Sequence, residues 1–226
     1  MDQSPNIYKE NTSEAKESNI VIRSFAKIFS YIFHPLFMPL YVMYYLVFIN
    51  YGFFAGINEK EKVWILIRVI LNMIFFPAVS VVLLKAVGFI DSIFLKTQKD
   101  RIIPYMTSGI FYFWMYLVFR NQPGLPQIVT AFVLGVFLTS SVGLIANIYY
   151  KISMHAMGCG GMLGIMLIVL KTGSYYPFTI PFIFFVLITG IVCTSRLIIS
   201  NHTQKEIYMG LFFGFICQFI SAVFIL

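Results

Sequence analysis

The sequence predicts an all-α, polytopic membrane protein with about six or seven transmembrane helices in one bundle. Composition and run length carry that expectation. Of 226 residues 59% are hydrophobic and only 11% charged, with a mean hydropathy of +0.85. A soluble domain has about 45–50% apolar and about 25% charged residues. The apolar residues also come in runs near the roughly 20 residues needed to cross a bilayer. Inside lipid every backbone polar group must be satisfied internally, which favours helices over an open sheet.

Taken in order, residues 1–22 form a polar tail expected to be flexible, and residues 23–226 form one membrane domain. The tail holds Asp2, Glu10, Glu14 and Glu17 ahead of the first apolar run, which is not the pattern of a cleavable signal peptide. Seven spans are expected, near 28–52, 63–90, 104–119, 127–149, 155–171, 177–199 and 206–226. Asn121-Gln122-Pro123-Gly124 is a turn signal that makes a hairpin of the third and fourth. Pro35, Pro39 and Pro77 fall inside or at the start of spans, where kinks are expected.

Several function classes are disfavoured. The net charge of +7 comes from Lys and Arg at the ends of apolar segments, a topological and head-group signal rather than a nucleic-acid footprint. Cys159, Cys193 and Cys217 sit inside apolar runs, which argues against a disulfide framework or a metal cluster. The three aspartates, Asp2, Asp91 and Asp100, are too few for an Asp-rich magnesium motif, and no H-E-x-x-H occurs. Neither a metal nor another cofactor is expected.

With seven spans the connections sort onto two sides, and the unusual polar residues share one of them. Lys96, Lys99, Arg101, Lys151, Ser153, His155, Arg196, His202 and Glu206 all fall there. That side carries eleven Lys and Arg against five on the other, which the positive-inside rule reads as cytoplasmic. His34, beside Pro35, reads as a packing residue, and Asp100 beside Arg101 as a local ion pair. The glycines at 158–164 read as close helix packing.

Three clusters could do chemistry: Lys96 to Pro104, Lys151-Ile152-Ser153-Met154-His155, and Ser195-Arg196 followed by His202 and Glu206. His202 and Glu206 are i and i+4, so on a helix they face the same way. A carboxylate on one imidazole nitrogen fixes the tautomer and raises the basicity of the other, as a nucleophilic or basic histidine requires. Arginine at the same depth would bind a phosphate with two parallel donors.

Ser195-Arg196-x5-His202-x3-Glu206 resembles the third signature of the type 2 phosphatidic acid phosphatase superfamily, S-R-x5-H-x3-D, with Glu in place of Asp. Ile152-Ser153-Met154-His155 is similar to the second, P-S-G-H, in its Ser and His. The first, K-x6-R-P, is met loosely: Arg101 is present, Lys96 stands five before it, and Pro104 three after. The resemblance covers roughly residues 90–226 and keeps the family's motif order.

It implies a metal-independent membrane lipid phosphatase. His202 would attack phosphorus to form a phosphohistidine, with Glu206 orienting it. His155 would protonate the leaving oxygen and then activate water. Arg101, Arg196, Ser153 and a lysine, Lys151 ahead of Lys96 or Lys99, would bind the phosphoryl oxygens. Phosphatidic acid, phosphatidylglycerol phosphate, undecaprenyl diphosphate or a lipid A phosphate would be the substrate, in a bacterial inner membrane. Family members of that kind usually act on its outer face, against the charge count above. Two other classes stand beside this reading: a catalytically degenerate scaffold or lipid-binding subunit, and an anion or lipid transporter.

Overall fold

The computed structural model describes residues 20–50, 52–95, 97–172, 179–199 and 202–226. Among them the chain is helical and contains no strand. α1 covers Ile20–Ile32. α2 covers Met38–Tyr44 and continues through a π-helical turn, Tyr45–Ile49. α3 runs Glu59–Val69, passes through a second π-helical turn, Ile70–Phe75, and ends with Phe76–Ala86. α4 is Gln98–Arg120, α5 Gln127–Tyr149, α6 Met154–Thr172, α7 Thr179–Ile199 and α8 Gln204–Ile225.

The helices α3 to α8 are each long and apolar enough to cross a membrane. Large apolar side chains stand exposed on their outer faces, among them Val82, Ile110, Phe184 and Val223. So much exposed apolar surface is at home in lipid rather than water. This is a polytopic helical membrane protein.

The first expected span is two helices, not one. Pro35 lacks an N–H and disfavours helical backbone at the residue before it. The chain accordingly leaves α1 at Ile32, turns with the Phe37 N–H donating to the His34 carbonyl, and re-enters helix at Met38 with Pro39 in the first turn. α2, at seven plus five residues, is ~18 Å long and too short to cross alone. Before Pro77 the missing N–H is accommodated by the π-helical turn of α3, one of the common sources of a bend. Of the polar tail expected over 1–22, residues 1–19 lie outside the described residues, and Ile20–Ile22 open α1.

α6 is the central helix. Of its apolar window 67% is buried, against 22–33% in α3, α4, α7 and α8. Glycines permit this. A Cβ at Gly160 would collide with the Leu211 carbonyl of α8, one at Gly214 with the Met157 carbonyl of α6, and one at Gly164 would lie 2.8 Å from the Phe215 carbonyl. Gly160 and Gly164, and Gly210 and Gly214, are each i,i+4, so small faces on both helices meet backbone to backbone. This contact sets the N-termini of α6 and α8 side by side.

Candidate active site

The polar residues converge at the end of the bundle where α4, α6 and α8 begin and α5 and α7 end. Gln98 and Asn147 tie α4 to α5 by reciprocal bonds, each side-chain amide donating to the other's main-chain oxygen, at 2.7 and 2.8 Å. Thr97 caps α4 by accepting the Asp100 N–H. One residue further, Arg101 donates from Nε to the Leu95 carbonyl at 2.9 Å and from Nη1 to the Ile152 carbonyl at 3.1 Å. Leu95 has a φ of 47°, an unusual left-handed conformation for a branched residue. That strained turn aims its oxygen at the guanidinium.

Arg101 is 5% exposed and makes no ion pair among the described residues. Buried charges are ordinarily paired; the direct bonds of Arg101 go to carbonyl oxygens, and the Glu206 carboxylate lies within its electrostatic reach. Asp100 does not pair with it. Adjacent positions on a helix do not face each other, and the Asp100 carboxylate accepts the Asp91 N–H at 2.9 Å instead. Lys85 donates to the Asp91 carbonyl, which completes a brace for the loop before α4.

The start of α8 is built by a capping box. Thr203 Oγ1 accepts the Glu206 N–H at 3.3 Å, and Glu206 Oε2 accepts the Thr203 N–H at 3.0 Å. The same oxygen accepts from His202 Nδ1 at 3.1 Å. Because the carboxylate holds the proton on Nδ1, the lone pair of a neutral His202 lies on Nε2. Nε2 makes no hydrogen bond among the described residues, and Arg196 and Arg101 lie within its electrostatic reach. Burial is the main force holding the His202 pKa below its ordinary value; the bond to Glu206 opposes this, and the two guanidiniums reinforce it. At neutral pH the ring is therefore neutral, the state a nucleophile needs.

His155 opens α6 beside this pair, buried at 8% exposure. Its Nε2 lies 3.0 Å from the main-chain oxygen and 3.3 Å from the hydroxyl of Ser30 in the last turn of α1. Arg196 Nη1 donates to the Ser30 hydroxyl at 2.9 Å. His34 sets its ring edge-on to His155, with centroids 5.4 Å apart. The Leu36 N–H donates to His34 Nδ1 at 3.3 Å, and burial together with the nearby Arg196 lowers the His34 pKa.

Of the residues singled out in the sequence, Arg101, His155, Arg196, His202 and Glu206 thus come together. Ser153 is adjacent but fully buried, and its hydroxyl accepts the Ala156 N–H at 3.4 Å, turned to its own helix. Its N–H approaches the Glu206 carbonyl at 3.5 Å, so the second and third clusters touch through main chain. Lys151 is half-buried and makes no hydrogen bond or ion pair among the described residues. Lys96 lies outside the described residues.

Sequence reasoning missed three members. Ser30 carried no signal, being 125 and 166 positions from its partners. His34, read as a packing residue, does pack, but against His155 of the site. Thr203 was detectable, since Thr203-x-x-Glu206 ahead of an apolar run is the sequence form of a capping box.

An apolar cavity of about 720 Å³ lies between α2, α3 and α7, floored by Met162 of α6. Tyr45, Leu66, Ile70, Phe184 and Ile188 line it, and Phe33, next to His34, stands at its edge. From Ile188 to Arg196 along α7 is eight residues, ~12 Å. Compared with protein-family models, with curated proteins and with solved structures, the chain matches none.

Proposed function

We propose that this protein is an integral-membrane lipid phosphatase that works through a phosphohistidine. The observation that carries the reading is His202. Its Nδ1 is held by Glu206, its ring is kept neutral by burial, and its Nε2 is unbonded among the described residues within reach of two guanidiniums. In the first step Nε2 attacks phosphorus in line while the bond to the lipid oxygen breaks. Arg101 and Arg196 balance the charge on the phosphoryl oxygens. The leaving oxygen takes its proton from the His155 imidazolium, the form that a bound phosphate anion favours, and leaves a neutral imidazole. In the second step that imidazole removes a proton from water, whose oxygen displaces His202 and releases inorganic phosphate. The N-termini of α6 and α8, side by side at this end, add positive dipole ends.

The apolar cavity supports a lipid as substrate. Its volume lies within the range of small-molecule sites, and it starts about two helical turns below Arg196. A head-group phosphate in the polar cluster would leave one hydrocarbon chain free to descend along α7. Among the described residues there is no group of three His, Cys, Asp or Glu placed to hold a metal ion.

A second reading is binding without turnover, by a scaffold or an anion carrier. It draws on His155, whose Nε2 is engaged by Ser30, and on Ser153, whose hydroxyl is turned to its own helix. Phosphate release by the detergent-purified chain, from phosphatidic acid, phosphatidylglycerol phosphate and undecaprenyl diphosphate with EDTA present, separates the two. The enzyme reading expects release that survives EDTA and vanishes in His202→Ala while that variant stays folded. No release from any of the three would favour binding alone.

A further inference from the structure

Neither the sequence motifs nor the mechanism above assigns a part to the first helix, yet α1 enters the site. Ser30 is buried at 6% exposure in its last turn and touches two of the reacting groups at once. Its carbonyl is an acceptor only. At 3.0 Å a bare imidazole lone pair would be repelled by that oxygen, so Nε2 of His155 carries a proton. The atom left to gain and lose the mobile proton is then Nδ1. On its other side Ser30 accepts one arm of Arg196, and a guanidinium gripped at one nitrogen is restricted in the orientations it can take. His34 packs against His155 from the turn that follows α1, which Pro35 holds out of helix.

We infer that Ser30 is a positioning residue of the phosphoryl site, its main-chain oxygen choosing which nitrogen of His155 exchanges protons and its hydroxyl restraining the Arg196 guanidinium. The inference rests on the anion site proposed above. It makes α1 and the turn after it a working part of that site rather than a peripheral anchor. The two contacts act on different stages. The hydroxyl governs how firmly Arg196 meets an anion already in the ground state. The carbonyl governs proton transfer.

The test uses the full-length purified chain with inorganic phosphate as ligand and nitrogen-15 spectra of its labelled histidines. In the wild type His155 should show the Nε2-protonated tautomer at neutral pH, a readout that needs no variant and no turnover. Ser30→Ala keeps the carbonyl and should keep that tautomer, while weakening phosphate binding about tenfold, the scale of one hydrogen bond to a charged group. KM for a lipid phosphate should rise to match, with kcat changed less than about threefold. Ser30→Thr, which retains a hydroxyl, should recover most of the affinity. An Nδ1-protonated His155 in the wild type would overturn the inference, as would Ser30→Ala binding phosphate normally. Wild-type protein that binds phosphate in the expected way but hydrolyses no lipid would remove the enzyme and leave the role of Ser30 standing. Wild-type protein that binds no phosphate would remove both.

Discussion

The two flanks of α6 are built on opposite principles. Towards α8 the contact is backbone on backbone, with Gly160, Gly164, Gly210 and Gly214 leaving no room for a side chain. Towards α2, α3 and α7 the packing opens into a cavity walled by aromatic and branched residues, bordered by the two π-helical turns. The tight flank carries the His202–Glu206 pair and the N-terminus of α6, where an error of about 1 Å would separate reacting atoms. The open flank faces the lipid. On the reading proposed above, the reacting histidine pair sits on the rigid side and the accommodating surface on the other, and π-helical turns are often found beside functional sites.

The sharpest way to break this contrast is a matched pair of glycine substitutions. Gly160→Ala forces a methyl into the Leu211 carbonyl, whereas a Cβ at Gly190 on α7 meets nothing within 4 Å. The first should cost about 3 kcal/mol or more, with loss of the monodisperse species in detergent, because the obstacle is backbone and cannot rotate aside. Gly190→Ala should change stability by less than about 1 kcal/mol. Equal tolerance at the two sites, read by thermal unfolding, would erase the distinction between the flanks.

Next in size is Glu206→Gln. It keeps an oxygen for the Thr203 N–H but loses the charge that holds His202, so kcat should fall by about 100-fold or more, as when the carboxylate that orients a catalytic histidine becomes an amide. Unchanged kinetics would reduce Glu206 to a helix cap. On the open flank, Ile188→Trp should fill part of the cavity and raise KM several-fold for long-chain substrates, leaving short-chain ones nearly untouched. Hydrocarbon burial is worth about 0.8 kcal/mol per methylene. A uniform rise across chain lengths would place the tail elsewhere.

Thr203→Ala should cost about 1 kcal/mol through the lost N-cap, visible as a lower Tm. The smallest effect is expected from pH. His34 and His202 both have pKa values below the ordinary 6.5 in the folded chain, so the unfolded chain binds protons that the folded one refuses. Their contribution to stability is whole above about pH 6.5 and is lost as pH falls towards the lowered values. Thermal unfolding between pH 7 and 5 should show a falling Tm, steeper than in a His34→Gln variant; superimposable curves would show that His34 contributes none of it.

Much of this molecule was legible in one dimension. Spans three to seven correspond to α4 to α8 because a run of apolar residues near 20 long has few alternatives in lipid. The i,i+4 spacing of His202 and Glu206 survives as a 3.1 Å bond, even though His202 sits just outside α8 and the pair bridges its cap rather than a full turn. The N-terminal region was illegible in part for a physical reason. Pro35 could be taken as a kink within one helix or as a break between two, and only the break delivers Ser30 and His34 to a histidine more than a hundred residues away. Asp100 and Arg101 are adjacent in sequence but not in space, which is why the expected ion pair does not form. On α4 its carboxylate turns to the loop while Arg101 turns inward.

The most direct test of the account is to trap the intermediate. Full-length protein mixed with a phosphorus-labelled lipid phosphate, quenched in base and digested, should yield label on the peptide containing His202, with none in His202→Ala. Label on that peptide that builds and decays at the rate of phosphate release is the predicted result. Lipid phosphate turned over at full rate with no labelled histidine, or label appearing on another residue, would contradict the account.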